Sequence, residues 1–482
     1  MTCRDTIYRP LRASHGRAAS RSPAVYLHAA IALLPGGWAE NVLLDIDAAG
    51  FLAAVTPECA DPPADAERID GPLIPGMPNL HSHAFQRAMA GLTEARGRDG
   101  DSFWTWRTQM YAFVERIDPE QARDIAAQAY VEMLRAGYTT VGEFHYLHHR
   151  PDGSPYASPS EMSDAIIDAA RETGLAITHL PVLYTSNGFG GAAPAEGQRR
   201  FVHDGDAFAR LVETLVERYR EEPLVRIGIA PHSLRAVTRE QLRDACDAIA
   251  RLDFAAPIHI HIAEQTREVE ECIAWCGRRP VDWLLDAIDV DRRWCLVHAT
   301  HVDERECRRL AESESVVGLC PTTEANLGDG LFPVENFLAA GGALGIGSDS
   351  NVSLSVIEEL RLLEYGQRLA HRRRAILAGN ASPSVGRTLY DLSTAGGAQA
   401  LAQPVGALET GLRADLVVLD GSSPALAAKT GDALLDAWVF AGDRATVKDV
   451  MVAGSWRIRD GRHAREDAVF DRYRSALAGL LA

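Results

Sequence analysis

The sequence predicts an α/β fold: a (β/α)8 TIM-like barrel with a small β-sandwich domain built from both chain ends. Its length of 482 residues exceeds one average domain and accommodates a barrel of ~250 residues or more beside a smaller module. Between residues 73 and 401, short apolar runs alternate with longer amphipathic stretches, which is typical of βα units around a parallel sheet. Short strands and turns flank this region, so we expect residues 1–72 and 402–482 to form the small domain together.

Both ends of the chain show the pattern of small antiparallel strands. In residues 25–55, apolar runs are interrupted at Pro35-Gly36-Gly37 and at Ala49-Gly50, which predicts turns. Near the other end, the segments GLRADLVVLDG and VKDVMVAGSWRIRDG also predict strands joined by turns. We expect the two sets of strands to pair with each other.

The central region contains eight apolar runs that we interpret as barrel strands. They cover residues 73–80, 139–144, 176–183, 225–230, 257–262, 295–297, 316–319 and 343–347. In a barrel of this type the chemistry lies at the carboxyl ends of the strands, so the residues near the end of each run are candidates for a site.

Titratable side chains occur at most of these strand ends. They are His81 and His83 for the first strand, His145 for the second, His232 for the fourth, His261 for the fifth, His298 for the sixth and Asp349 for the eighth. A barrel would bring such side chains to one rim, which predicts a common site.

The composition excludes several classes of function. The net charge of −17 argues against a nucleic-acid surface or an anionic membrane as the main partner. Lysine occurs only as Lys429 and Lys448, which excludes a Schiff-base, P-loop or metal-bridging lysine in the barrel region. The eight cysteines form no CxxC pair, and we interpret them as free thiols of a reducing compartment.

The same features predict a cytoplasmic protein. No apolar run approaches the ~20 residues that cross a bilayer. The first 23 residues are rich in arginine, but arginine is abundant throughout, so we expect a disordered or mis-started terminus rather than a transit peptide. We also expect a homodimer.

The stretch LIPGMPNLHSHAF carries the first part of a predicted metal site. His81 and His83 are two residues apart, and on an extended segment both side chains point to the same side. With His261 and Asp349 they would supply three nitrogens and one carboxylate, a set that suits Zn²⁺ or Fe²⁺ and leaves room for a water. Taken alone, His261 could be a core histidine and Asp349 could cap a helix.

Three residues are candidates for proton transfer. Glu264 follows His261 in the sequence HIAE and could move a proton without being a ligand. Either Asp349 or His298 could take a proton from the activated water. The alternative for Glu264 is a solvated acid at the start of a helix.

The motifs HSH, HIHIAE, LVHATH and GSDS, in this order, resemble the mononuclear aminohydrolase branch of the amidohydrolase superfamily. The segments PGMPNLHSH and GLRADLVVLD extend the likeness over nearly the whole chain. The resemblance implies a hydrolase that acts on a non-peptide C–N bond at an amidine-like carbon and releases ammonia. Since the fourth strand ends at His232 instead of the lysine of binuclear members, one divalent metal is expected, Zn²⁺ ahead of Fe²⁺; a bridging Glu or Cys stays open.

The residues around the predicted mouth indicate the substrate. Arg107 and Arg235 suggest two carboxylates, since a guanidinium in a water-poor pocket usually grips such groups. NLHSHAFQRAMAGL, FWTWR, GEFHYLHH, PHSLRAV and LCPTTEANLGDG resemble the members that convert N-formimino-L-glutamate and water into N-formyl-L-glutamate and ammonia in histidine degradation.

That likeness assigns roles to individual residues. It implies that the glutamate part is held by Gln86, Arg107, Tyr146, His232 and Arg235. It also implies that metal-bound hydroxide attacks the formimino carbon while Glu264, His298 and Asp349 act on it.

Two alternatives remain open. The first is another mononuclear aminohydrolase that acts on a heterocycle, as guanine, cytosine or S-adenosylhomocysteine deaminases do. A purine pocket would favour aromatic stacking and amide groups over arginines. The second is a non-catalytic protein that keeps the barrel as a scaffold, although such a protein usually loses metal ligands.

Overall fold

The computed structural model describes residues 25–95, 103–379 and 382–482, so the arginine-rich segment 1–23 lies outside the described residues. The strands are β1 (Val25–Leu34), β2 (Gly37–Ile46), β3 (Leu52–Thr56), β4 (Glu67–Ile69), β5 (Leu73–Pro75), β6 (Met77–Ser82), β7 (Tyr138–His145), β8 (Ala176–Leu183), β9 (Val225–Ile227), β10 (Ala230–Pro231), β11 (Ile258–Ile262), β12 (Trp294–His298), β13 (Val316–Leu319), β14 (Ala343–Ile346), β15 (Leu416–Leu419), β16 (Val447–Val452), β17 (Ser455–Arg459) and β18 (Arg462–His463).

Helices follow most of the central strands. They are α1 (Phe103–Val114), α2 (Pro119–Arg135), α3 (Glu161–Thr173), α4 (Gly205–Tyr219), α5 (Arg239–Leu252), α6 (Thr266–Cys276), α7 (Pro280–Ala287), α8 (Glu304–Glu312), α9 (Pro321–Leu327), α10 (Val334–Ala339), α11 (Val356–His371), α12 (Val385–Leu401), α13 (Ala433–Ala441) and α14 (Glu466–Leu481), with short 3₁₀ turns at Ala84–Met89, Glu196–Gln198 and Arg444–Thr446. This alternation confirms the predicted α/β class.

Several of these helices start where the sequence supplies a capping box. Asp118, Thr238 and Asp303 each accept a hydrogen bond from the backbone N–H three residues later, and the side chain at that later position bonds back to the cap. These reciprocal bonds satisfy N–H groups that a helix start would otherwise leave without partners.

The central strands form parallel sheets in chain order. Strands β6, β7, β8 and β10 pair in one sheet, with β9 also on β8, and β11 to β14 pair in a second. Parallel bridges at Ile229 to Ile258 and at Ser82 to Asp349 connect the two sheets at both edges. The order is consistent with the predicted barrel. Most residues of these strands are buried, as expected when helices cover a parallel sheet.

Two of the predicted central strands are interrupted in the structure. The run 73–80 divides into β5 and β6 at Gly76, where a β-carbon would lie 2.3 Å from the Thr139 side chain, so a close approach of the chains requires glycine. The run 225–230 divides into β9 and β10, because Gly228 N–H bonds to His179 on one side and Ile229 N–H to Pro257 on the other.

The strands near the two chain ends, β1–β4 and β15–β18, lie in one sheet with β5, which belongs to the run predicted as the first barrel strand. All nine belong to one sheet of order β18-β17-β16-β15-β5-β1-β2-β3, with β4 paired to β1. The two separate sheets of the expected β-sandwich are not shown, because β5 pairs with both β15 and β1 and so joins the two groups of strands. Leu27, Leu44 and Leu416, on three strands of this sheet, belong to a separate cluster of buried apolar side chains.

The C-terminal segment also contains two helices that the strand pattern did not predict. Helix α14 packs on α2, and Arg472 there lies 3.0 Å from Asp124 and 2.8 Å from Glu172. None of the helices formed by the described residues has the length and hydropathy needed to cross a lipid bilayer.

Candidate active site

His81 and His83 lie at the carboxyl end of β6, facing the loop after β14. The backbone N–H groups of Ser348 and Asp349 donate to His81 O at 3.0 and 2.9 Å, which fixes the Asp349 loop against this strand. Asp349 Oδ1 is 3.4 Å from His81 Nε2 and 3.3 Å from His83 Nε2. The Nδ1 atom of His83 bonds to Phe144 O at 2.8 Å, so its Nε2 is left for a ligand.

His261 lies near the end of β11, in the second parallel sheet, and its side chain lies beside His81 of the first sheet. Its Nε2 is 3.1 Å from His81 Nε2, and its Nδ1 is 3.2 Å from His232 O. Burial is the largest influence on the pKa of His81 and lowers it to about 3, and burial also lowers the pKa of His83 and His261. The neutral imidazole is the form that binds a metal.

The spacing of these atoms fits one divalent ion. Ligand atoms of a tetrahedral site with bonds of about 2.0–2.1 Å lie about 3.3 Å apart. The separations of 3.1, 3.3 and 3.4 Å among His81, His83, His261 and Asp349 agree with that value. Within the described residues, ligand atoms converge closely enough for an ion in three groups: His81, His83 and His261; His81, His298 and Asp349; and His298, Cys320 and Glu324. The structure therefore brings the predicted ligand set together.

His298 lies beside this cluster, among three carboxylates. Its Nε2 is 3.8 Å from Glu264 Oε1 and 3.7 Å from Asp349 Oδ2, and its Nδ1 is 3.2 Å from Glu324 Oε1. Burial disfavours the charged ring, but Glu264, Glu324 and Asp349 outweigh this and raise the pKa of His298 to about 10. Burial also raises the pKa of Glu264, so a neutral carboxyl becomes accessible near neutrality.

A cavity of about 560 Å³ opens above these residues. All of the side chains predicted to hold the substrate line it: Gln86, Arg107, Tyr146, His232 and Arg235. Gln86 Nε2 donates to the Tyr146 hydroxyl at 2.7 Å, so two of these side chains orient each other. His83, His261, Glu264, His298 and Asp349 form the floor of the same cavity.

The two predicted arginines have different surroundings. Arg235 is buried, with Nη2 3.6 Å from Glu268 and 3.9 Å from Glu264. Arg107 is half-buried on α1, and its guanidinium lies 4.9 Å from the Trp104 ring centroid and 5.4 Å from that of Tyr111. Both arginines also line an adjoining outer cavity of about 880 Å³.

Comparison with known proteins shows which family the chain belongs to. The profile described as "Amidohydrolase family" matches residues 73–457, and that described as "Formimidoylglutamate deiminase HutF, N-terminal domain" matches residues 25–69. The chain belongs to the amidohydrolase family.

Individual amidohydrolases are similar over most of the chain. Formimidoylglutamate deiminase of Pseudomonas aeruginosa is 56% identical over 93% of this chain and 98% of its own. A 5-methylthioadenosine/S-adenosylhomocysteine deaminase of Nitratidesulfovibrio vulgaris is 30% identical over 82% of this chain and 81% of its own.

Two solved structures are similar to this fold over most of the chain. The crystal structure of an amidohydrolase from Brucella melitensis has a TM-score of 0.89 and 50% identity, covering 95% of this chain and 100% of its own. A zinc-bound adenosine deaminase from Xanthomonas campestris has a TM-score of 0.78 and 24% identity, covering 95% and 98%, which shows the fold alone. The family and the converging donor groups support a divalent metal in this amidohydrolase.

One strand-end residue does not reach the cavity. His145 ends β7, but its ring lies 5.8 Å from that of His148 and 5.4 Å from that of His179, away from the metal cluster. Successive side chains of a strand point to opposite sides, and here Tyr146 takes the side that faces the cavity.

Several residues of the site were not predicted from the sequence. Tyr184 directly follows β8 and lines the cavity, so the strand-end rule would have found it. Tyr111 also lines the cavity and lies one turn after Arg107 on the same helix. Glu324, inside the motif LCPTTEANLGDG, and Glu268, four residues after Glu264, contact site residues and gave no separate signal.

Proposed function

We propose that this amidohydrolase converts N-formimino-L-glutamate and water into N-formyl-L-glutamate and ammonia. The observation that carries the proposal is a cavity with one wall of metal-ligand and proton-transfer groups and another wall with two arginines. A 56% identical relative that is a formimidoylglutamate deiminase supports the same substrate.

The residues of the cluster suit this hydrolysis. A divalent metal, for which we propose zinc, would lower the pKa of a bound water from 15.7 to about 7. His81, His83, His261 and Asp349 are the residues that we propose hold it. The protein then has to place the formimino carbon beside the water, to move one proton from that water to the nitrogen of the cationic formimino group, which leaves as ammonia, and to take up the second proton.

Glu264 and Asp349 are placed for this proton movement. Glu264 is buried and lies on the cavity floor, where it can accept one proton and deliver it to the nitrogen that leaves as ammonia. His298 lies between Glu264 and Asp349, and because its raised pKa keeps Nε2 protonated near neutrality, it can donate a hydrogen bond to the oxygen of the attacking water while Asp349 takes the second proton. The formimino group is itself a small cation, which these carboxylates favour.

The opposite wall is placed to hold the glutamate part. Arg107 and Arg235 each present a guanidinium that can form two parallel hydrogen bonds to a carboxylate. Gln86, Tyr146 and His232 add polar atoms between these arginines and the metal cluster. A neutral heterocycle would leave the Arg107 guanidinium without an anionic partner and would add none to the two acids beside Arg235.

We also propose the closed barrel, the domain boundaries, the cellular location and the oligomeric state that the sequence predicts. The parallel strands from β6 to β14 form a closed (β/α)8 barrel, supported by bridges at both edges of the two sheets. The domains are residues 1–72 and 402–482 around the barrel 73–401, except that Leu73–Pro75 of the predicted barrel belongs to the sheet of the small domain. The protein is a cytoplasmic homodimer without a nucleic-acid or membrane partner. The free thiols of all described cysteines support a reducing compartment, and light scattering after gel filtration tests the dimer.

An ammonia-release assay tests the substrate. N-Formimino-L-glutamate should be turned over with the largest kcat/KM in a panel that also contains N-formimino-L-aspartate and guanine. Metal analysis of the same preparation should find about one divalent ion per chain. Faster release of ammonia from guanine would overturn the proposal in favour of a heterocycle deaminase, and absence of bound metal would favour a non-catalytic scaffold.

A further inference from the structure

Glu268 lies on α6, behind the wall of the cavity, and contacts two functional residues at once. We propose that Glu268 is a positioning residue that holds Arg235 in the orientation that receives a substrate carboxylate and holds Glu264 in place for proton transfer. The inference rests on the proposed function, because it assigns Arg235 to substrate binding and Glu264 to catalysis.

The first observation is the set of contacts made by the Glu268 carboxylate. The residue is fully buried, and its Oε1 accepts the Ala263 N–H at 3.1 Å while Oε2 accepts the Glu264 N–H at 3.2 Å. The same Oε2 is 3.6 Å from Arg235 Nη2. One carboxylate therefore links the backbone that carries Glu264 to the side chain of Arg235.

The second observation is the backbone that Glu268 supports. Ala263 has φ of 50°, a left-handed conformation that is strained for a residue with a β-carbon. This turn directs the chain from the end of β11, where His261 lies, to Glu264. Hydrogen bonds that a charged carboxylate accepts from two successive N–H groups stabilise such a turn more than bonds to a neutral acceptor would.

The third observation is how Arg235 is shared between two acids. Its Nη2 lies 3.6 Å from Glu268 but 3.9 Å from Glu264. Because a buried guanidinium requires a counter-charge, loss of the Glu268 charge would draw Arg235 towards Glu264. That movement would occupy the catalytic carboxylate and displace the arginine from the substrate.

The atoms of the Arg235 guanidinium that pair with neither Glu264 nor Glu268 indicate where a substrate carboxylate can bind. The Nε atom of Arg235 is buried and has no hydrogen-bond partner among the described residues. Arg235 lines both the inner cavity and the outer one, and both acids lie at Nη2, so the Nη1 side of the guanidinium, which has no ion pair within the described residues, is available for an incoming carboxylate.

The variant Glu268→Gln tests the proposal because it keeps the size and one acceptor but removes the charge. We expect KM for N-formimino-L-glutamate to rise by about tenfold and kcat to fall by about threefold, since charge-assisted bonds at this site are lost. Affinity for the product N-formyl-L-glutamate, measured by calorimetry on the metal-loaded protein, should fall by about tenfold as well. Metal content should not change.

Glu364 provides a closely matched control. It is fully buried, lies 2.6 Å from Arg368 Nε, and accepts the N–H groups of Ile376 and Leu377 at 3.0 Å each, but it does not line the cavity. Glu364→Gln should lower thermal stability to a similar extent and leave kcat and KM within about twofold. Equal changes of kcat, KM and product affinity in the two variants would reduce Glu268 to a structural role and overturn the proposal.

Coupling to Arg235 separates positioning from a general loss of stability. In an Arg235→Gln background, Glu268→Gln should change KM by less than about twofold, because its effect on binding acts through the arginine. Fully multiplicative effects would overturn the inference. If Glu268→Gln does not fold, Glu268→Asp, which keeps the charge but retracts it by one methylene, should show a smaller change of the same kind; wild-type kinetics in that variant would also overturn it.

The proposed function and this inference fail in different ways. A wild-type protein that does not release ammonia from N-formimino-L-glutamate contradicts the function. The coupling between Glu268 and Arg235 is then measured on whichever substrate of the panel is turned over.

Discussion

Replacing Arg107 by Gln should weaken binding of the substrate with little loss of stability. Arg107 lines both cavities and lies on α1, opposite the metal cluster. A hydrogen bond to a charged group contributes about 1.5–3 kcal/mol, so its loss should lower kcat/KM by about 10- to 150-fold. Most of the change should be in KM, because the arginine is remote from the reacting carbon.

The structure also limits how much stability the variant can lose. The guanidinium stacks near two aromatic rings, Trp104 and Tyr111, at 4.9 and 5.4 Å, and each such contact contributes about 0.5–1 kcal/mol. No acidic side chain of the described residues pairs with Arg107, so its removal leaves none of them without a counter-charge. We therefore expect the free energy of unfolding to fall by about 1–2 kcal/mol at most.

The assay combines steady-state ammonia release with urea unfolding. Arg107→Lys keeps the charge but loses the forked geometry, so its kcat/KM should lie between those of the wild type and Arg107→Gln. Arg474, an exposed arginine of α14 that pairs with Asp471 at 3.0 Å, provides a control whose replacement should change neither quantity. A kcat/KM of Arg107→Gln within twofold of the wild type would refute the assignment of this arginine to a substrate carboxylate.

Further variants test other parts of the structure. Glu264→Gln should keep its metal but lower kcat by about 10²- to 10⁴-fold in the ammonia assay, and a kcat near that of the wild type would exclude it from proton transfer. His261→Ala should lose the metal in elemental analysis, whereas His259→Ala should retain it, because the His259 ring bonds to Ala400 O at 2.8 Å in the core; equal metal content would contradict the ligand set. Asp415→Asn should lower the free energy of unfolding in urea by about 3–5 kcal/mol without changing kcat/KM, because it leaves the buried Arg413 unpaired, and a stable variant would show that this pair contributes little.

The strand pattern predicted much of the site because a strand end can be identified from the apolar and polar residues immediately around it. His81, His83, His261 and Asp349 were found by inspecting strand ends, and the structure places them within 3.1 to 3.4 Å of a neighbour in the cluster. The same rule failed for His145, because the direction in which the strand ends decides which of two successive side chains enters the cavity.

Other parts of the fold depended on contacts between distant segments. The apolar run 73–80 has no internal signal for a change of partner, yet Leu73–Pro75 pairs with strands from both ends of the chain and Met77–Ser82 with the central sheet. The expectation of a sandwich was wrong in the same way. The sequence indicated that strands from the two chain ends belong together, but it gave no sign that β5 lies between them and joins them into one sheet.

Residue order alone predicted the alternation of strands and helices, showed that the barrel region lacks lysine, and identified the imidazoles, carboxylates and arginines available for a metal and a dicarboxylate. These follow from residue type and short-range periodicity. Packing in three dimensions was needed to show that Glu264 and Glu268 share Arg235 and that His298 lies among three acids. The physical reason is that distances between charges in a buried site depend on how the strand ends and loops pack, which residue type and spacing do not specify.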